Sequence, residues 1–185
     1  MATRKGAGAG TYLASPALRV REPALRYGVS TQPATRTKAD GEPRRALLDV
    51  NALIALLDAD HLHHARASAW LSANIDAGWA ACAITQNGCI RIMLQPGYPS
   101  ALPAARVAQG LRDSTETRHH VFAAGDPSLL DNDHLDTEQF LGHRQVTDAF
   151  LLGLAVAHGF SFVTFDARMP MRVVQRARSE QVIQL

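Results

Sequence analysis

The chain has 185 residues, 46% of them hydrophobic and 19% charged, which suits one domain with a genuine core. Its formal charge of +2 hides a split: residues 1–45 hold nine Lys or Arg and three acids, net +6, whereas residues 46–185 hold ten Arg, no Lys and fourteen acids, net −4. No run of about 18 apolar residues is present, so no transmembrane helix is expected, and the basic N-terminus lacks the apolar stretch of a signal peptide. The two cysteines, Cys82 and Cys89, have no zinc-site spacing and read as small buried thiols, in keeping with a reducing cytoplasm.

Residues 1–44 are rich in Ala, Gly, Pro, Thr and Arg and show no sustained period, which predicts a disordered basic extension. An upstream start codon taken for the true one would give the same composition. The tail's charge suits either plain solvation or nonspecific contact with RNA phosphates. The pattern changes at Ala46, where a domain spanning 45–185 is expected to begin. "ALLDV" is a short apolar run of the kind found in a parallel strand buried on both faces. "NALIALLDAD" opens with Asn51, an N-cap type of residue, and continues as a short helix. "HHARASAWLSANIDAG" has apolar residues near helical spacing and stops at Gly78.

"WAACAI" predicts a second strand and "TQNGCIRIMLQPG" a helix closed by Pro-Gly. "LPAARVAQGLRDS" is an amphipathic helix, followed by the strand "HHVFAA" and a loop, 125–136, with one helical turn. Residues 144–158 form the most apolar helix; "SFVTF" follows as a strand, "ARMPMRVV" as a broken helix and "QVIQL" as a terminal strand. Strands alternating with helices imply a three-layer α/β sandwich around a mostly parallel sheet. Ligands of such folds sit beyond the carboxyl ends of the strands.

That rule selects three acids. Asp49 ends the first strand and Asp166 ends "SFVTF", while Asp148 opens the apolar helix with Leu151, Leu152 and Ala155 at i+3, i+4 and i+7. Each has an ordinary reading as a turn residue, a helix cap or a partner of the helix dipole. Together they place three hard oxygen ligands, suited to Mg²⁺ or Mn²⁺, at one end of the sheet.

"LLDVNALIALLD", "TDAFLLGLA" and "FVTFD", in this order and spacing, resemble a PIN-domain nuclease of the VapC toxin type, from about Arg45 to the C-terminus. "DADHLHH", "WAACAITQNGCIRIM" and "GHRQVTDAFLLGLAVAHG" are similar to one VapC subgroup. The resemblance implies a Mg²⁺-dependent endoribonuclease with Asp49 and Asp148 on the metal, and Asp166 and Asn51 completing the site. It also implies a cognate antitoxin that blocks the site, and a homodimer. One position departs from the family pattern: Gln86 stands where a Glu is usual, which removes charge for a second metal and leaves either single-metal catalysis or weak activity. A PIN-like binding module without catalysis is the competing reading. A dehalogenase-type phosphatase is disfavoured, because Asn51 replaces the second Asp that class requires.

Other residues stay open between two readings. Arg91 and Arg144 are each placed either to meet an RNA phosphate or to pair with an acid. Thr147 and Thr164, beside the acids, are placed to orient a carboxylate or a water. His61, His63 and His64 lack the Glu or Cys that would complete a zinc set and read as structural or capping residues, and the pair His119 and His120 is equally weak.

Overall fold

The computed structural model describes residues 44–125, 128–130 and 133–185. Residues 1–43, where the disordered extension was expected, lie outside the described residues. The first strand, β1 (Ala46–Leu48), is buried on both faces. Ala46 and Leu48 join one apolar cluster and Leu47 another, as period-2 alternation requires. The other strands are β2 (Trp79–Ala81), β3 (His120–Phe122), β4 (Ser161–Thr164) and β5 (Val182–Gln184). They form one sheet in the order β3-β2-β1-β4-β5, and every pairing is parallel. The mostly parallel sheet read from the sequence is parallel throughout.

Two helical layers cover it. Helices α1 (Val50–Leu57), α2 (His64–Asn74), α3 (Ala83–Met93) and α4 (Ala104–Thr115) contribute Leu53, Ala67, Met93 and Leu111 to the cluster on one face. Helix α5 (Gln145–Ala157) supplies Leu151, Leu152, Leu154 and Ala155 to the cluster on the other. α1 and α5 are apolar on most sides because each is enclosed between the sheet and other elements. No helix among the described residues is long and apolar enough to cross a membrane.

Four local expectations need correction. The N-cap of α1 is Asp49, not Asn51: Asp49 has extended backbone, and its carboxylate accepts a hydrogen bond from the Val50 N–H. Helix α3 begins two residues earlier than "TQNG" suggests, with Cys82 as N-cap, because the Thr85 hydroxyl accepts the Cys82 N–H at 2.9 Å. Residues 167–174 form turns, not a helix. Pro170 has no N–H to give; its carbonyl accepts from Val173, and Val174 bridges to Leu135. The helical turn expected within 125–136 lies at Thr137–Gln139, and residues 126, 127, 131 and 132 are outside the described set.

Glycine is required where α3 crosses α1. A Cβ on Gly88 would lie 2.7 Å from Val50 Cγ2 and 3.0 Å from Cγ1. Valine is stiff at χ1 and cannot swing clear. Gly88→Ala is expected to cost roughly 1–3 kcal/mol by overpacking, read as a lower denaturation midpoint. Adding Val50→Ala to the same chain should recover part of that loss; no recovery would show that the strain lies elsewhere.

Candidate active site

The sheet order puts a topological switch between β1 and β4: the chain leaves β1 toward β2 on one side and later returns to β4 on the other. Asp49 directly follows β1, and Asp166 stands two residues beyond the end of β4. Asp148 is in the first turn of α5. All three line one cavity of about 320 Å³. α1 adds Val50 and Asn51 to its wall, α3 adds Ile84, Asn87, Gly88, Arg91 and Ile92, and α5 adds Thr147.

The three carboxylates differ in setting. Asp49 is 4% exposed. Its Oδ1 accepts from the Val50 N–H at 2.6 Å and its Oδ2 from the Thr164 hydroxyl at 2.9 Å. The same hydroxyl accepts the Asp166 N–H at 3.0 Å, so Thr164 ties the ends of β1 and β4 together. Burial raises the Asp49 pKa from 3.8 to about 6; the bonds from Thr164 and Val50 oppose the rise, and the charges of Asp148 and Asp166 add to it. Asp148, half-buried, is also raised, first by desolvation and then by Asp166. Among the described residues no cation forms an ion pair with any of the three.

Asp49, Asn51, Asp148, Asp166 and Thr147 thus meet at one place. Gln86 does not line the cavity and is half-buried on another side of α3. The reason is helical phase: Ile84, Asn87, Gly88 and Arg91 fall at i, i+3, i+4 and i+7, and Gln86 lies off that stripe. Asn87, which the sequence reading missed, was signalled by its four-residue spacing from Arg91. Arg144 is exposed and outside the cavity lining.

The histidines are structural here. His64 Nδ1 is 2.7 Å from the Ala55 carbonyl, His63 stacks on Phe165 at 4.5 Å, and the His61 ring accepts the His63 N–H. His120 packs on Trp79 at 4.4 Å. Cys82 and Cys89 are buried thiols.

The family model for the PIN domain matches residues 46–174, a span that contains all three acids. Ribonuclease VapC44 of Mycobacterium tuberculosis is 48% identical over 141 residues, covering 76% of this chain and 99% of the relative. Ribonuclease VapC38 of the same organism is 43% identical over 135 residues (72% and 94%), and Ribonuclease VapC39 is 40% identical over 126 (67% and 90%). The chain is a PIN-domain protein of the VapC family.

The donors of the PIN cavity are those a hard divalent metal prefers. Among the described residues the cavity presents carboxylate, amide and hydroxyl oxygens, and neither sulfur nor imidazole. Among the described residues no three acids, histidines or cysteines already stand together as a closed ligand set. Mg²⁺ does not need one, since it keeps several waters and takes one or two carboxylates. Unpaired acids that raise one another's pKa are the electrostatic setting that a cation relieves. The residues fit the ion.

Two predictions follow from these hydrogen bonds and charges. Asp49 titrates near 3.8 unfolded and about 6 folded, so between those values the folded state holds a proton that the unfolded state has lost. Stability of the metal-free PIN domain should therefore fall as pH rises through this window, by up to about 3 kcal/mol, and level off above it. The upward shift of Asp148 acts in the same direction. Urea denaturation in EDTA should show the fall in the wild type and much less of it in Asp49→Asn; equal slopes would clear Asp49 as the cause. Thr164→Val keeps the shape and deletes the hydroxyl. It should cost roughly 1–3 kcal/mol and move the pH window upward, whereas an unchanged midpoint would mean that the hydroxyl anchors nothing.

Proposed function

We propose that the protein is a Mg²⁺-dependent endoribonuclease, the toxin of a type II toxin–antitoxin pair, that hydrolyses phosphodiester bonds in RNA. The observation that carries this reading is the meeting of Asp49, Asp148 and Asp166, from three separate parts of the chain, at the switch point between β1 and β4. Relatives named ribonucleases at 40–48% identity support the reaction type. Membership in the VapC family further supports a cognate antitoxin that covers the cavity, a homodimer and a cytoplasmic setting.

Asp49, Asp148 and Asp166 would hold the ion, directly or through its waters; Mn²⁺ has the same ligand preference and could replace Mg²⁺. When bound, the ion supplies Lewis-acid stabilisation of charge on the phosphoryl group and makes water a better nucleophile. The protein's own part is positional. Thr164 and the Val50 N–H fix the Asp49 carboxylate in one orientation. Asn51 and Asn87 bring amides to the cavity wall, able to meet RNA oxygens or water. Val50, Ile84 and Ile92 give that wall an apolar part, which limits water around the reacting group. Gln86 has no catalytic part in this proposal because it faces away from the cavity, and three acids in place of four support one metal ion.

Asp148→Ala should abolish Mg²⁺-dependent cleavage of RNA while the protein stays folded, and EDTA should stop the wild type. Wild-type rates from the Ala variant would remove Asp148 from the site. Asp148→Asn removes one charge at nearly constant shape, so its metal-free form should melt higher than wild type near neutral pH and gain much less from Mg²⁺. A variant that melts lower in EDTA and gains as much from Mg²⁺ would reduce these acids to ordinary caps.

A further inference from the structure

We infer that Arg91 is a substrate-binding residue whose guanidinium holds a backbone phosphate of the RNA seated in the cavity. The inference rests on the ribonuclease reading and adds to it the group that receives the polyanion. Among the described residues Arg91 is the cation that lines the cavity: it shares that space with Asp49, Asp148 and Asp166 and is itself exposed. Of the two roles open to it in the sequence, an ion pair with an acid or a contact with phosphate, the described residues supply no partner for the first. Among the described residues no carboxylate lies within ion-pair reach of its guanidinium, and no hydrogen bond engages it.

Two features hold the charge there without an acid. Arg91 is in the last turn of α3, where the helix dipole favours a cation. Three residues before it, Gly88 seats α3 against Val50, which neighbours Asp49, so the backbone that carries Arg91 is packed beside the helix that Asp49 caps. The chemistry also calls for such a group. Three carboxylates repel an incoming phosphodiester, and a planar guanidinium fork matches two phosphate oxygens at once, whereas a lysine would offer a point charge. Asn87, one turn back on the same face, can add a neutral contact beside it.

The test measures binding of fluorescein-labelled RNA hairpins by anisotropy, with Arg91→Gln and Arg91→Lys each introduced into Asp148→Asn and compared with Asp148→Asn alone. Arg91→Gln should weaken binding about 5–30-fold, and the slope of log affinity against log salt should fall by about 0.7. Arg91→Lys should retain an intermediate affinity. In otherwise wild-type protein, Arg91→Gln should raise KM for RNA cleavage more than it lowers kcat, with an unchanged rise in melting temperature on adding Mg²⁺. RNA affinity and salt slope equal to the parent's would overturn the inference. So would a joint loss of RNA binding, melting temperature and Mg²⁺ response in both Gln and Lys variants, which marks a structural role. Cleavage by Asp148→Asn would instead strike the metal assignment and leave the binding comparison standing.

Discussion

Placing the Asp49 carboxylate out of water is unfavourable unless something in the fold answers it, and among the described residues the answer is two hydrogen bonds and no cation. One bond comes from the helix that Asp49 itself caps, the other from a threonine on the neighbouring strand. The acid is therefore part of the architecture: it ends β1, starts α1 and joins β4. Both of its oxygens are oriented, and its charge is only partly stabilised. Asp148 and Asp166 crowd it further. The fold accepts this cost at the switch point between β1 and β4, at the wall of the cavity.

The seam between α1 and α3 plays the complementary part. Asp49, Val50 and Asn51 come from one side of it, and Ile84, Asn87, Gly88 and Arg91 from the other. Because Gly88 has no side chain, the two helices approach closely enough for the acids and the arginine to share a cavity. The same contact fixes which face of α3 looks into it.

Much of this was legible in the sequence, for a physical reason: an acid at the end of a buried apolar run is conspicuous, and three of them at equivalent ends of strands and helices define a place. The parallel sheet followed from alternating strands and helices. What escaped was rotational. Reading α3 from Thr85 gives no hint of its phase relative to the sheet, which is set by a cap at Cys82 and by packing of Gly88 on Val50. The resemblance points to Gln86 through the family's usual Glu, whereas the cavity is lined by Asn87, its neighbour in sequence and about 100° away around the helix. The cap of α1 is ambiguous in the sequence, since Asp49 and Asn51 both suit an N-cap, and the extended backbone at Asp49 decides between them. In "FVTFD" the role of Thr164 was only half visible, because its partner is 115 positions away.

That separation has a consequence for how the activity comes into being. Loop closure over such a span is slow compared with forming any of the helices, and β1 cannot pair with β4 until most of the chain exists. During synthesis, α1 to α4 and the first three strands emerge well before the segment that carries Asp148, Thr164 and Asp166. A nascent chain on the ribosome thus holds Asp49 and Arg91 but no assembled centre. For an RNA-cutting toxin, chain order itself works as a timer: the cell's RNA meets a finished cavity only after Asp166 has been made.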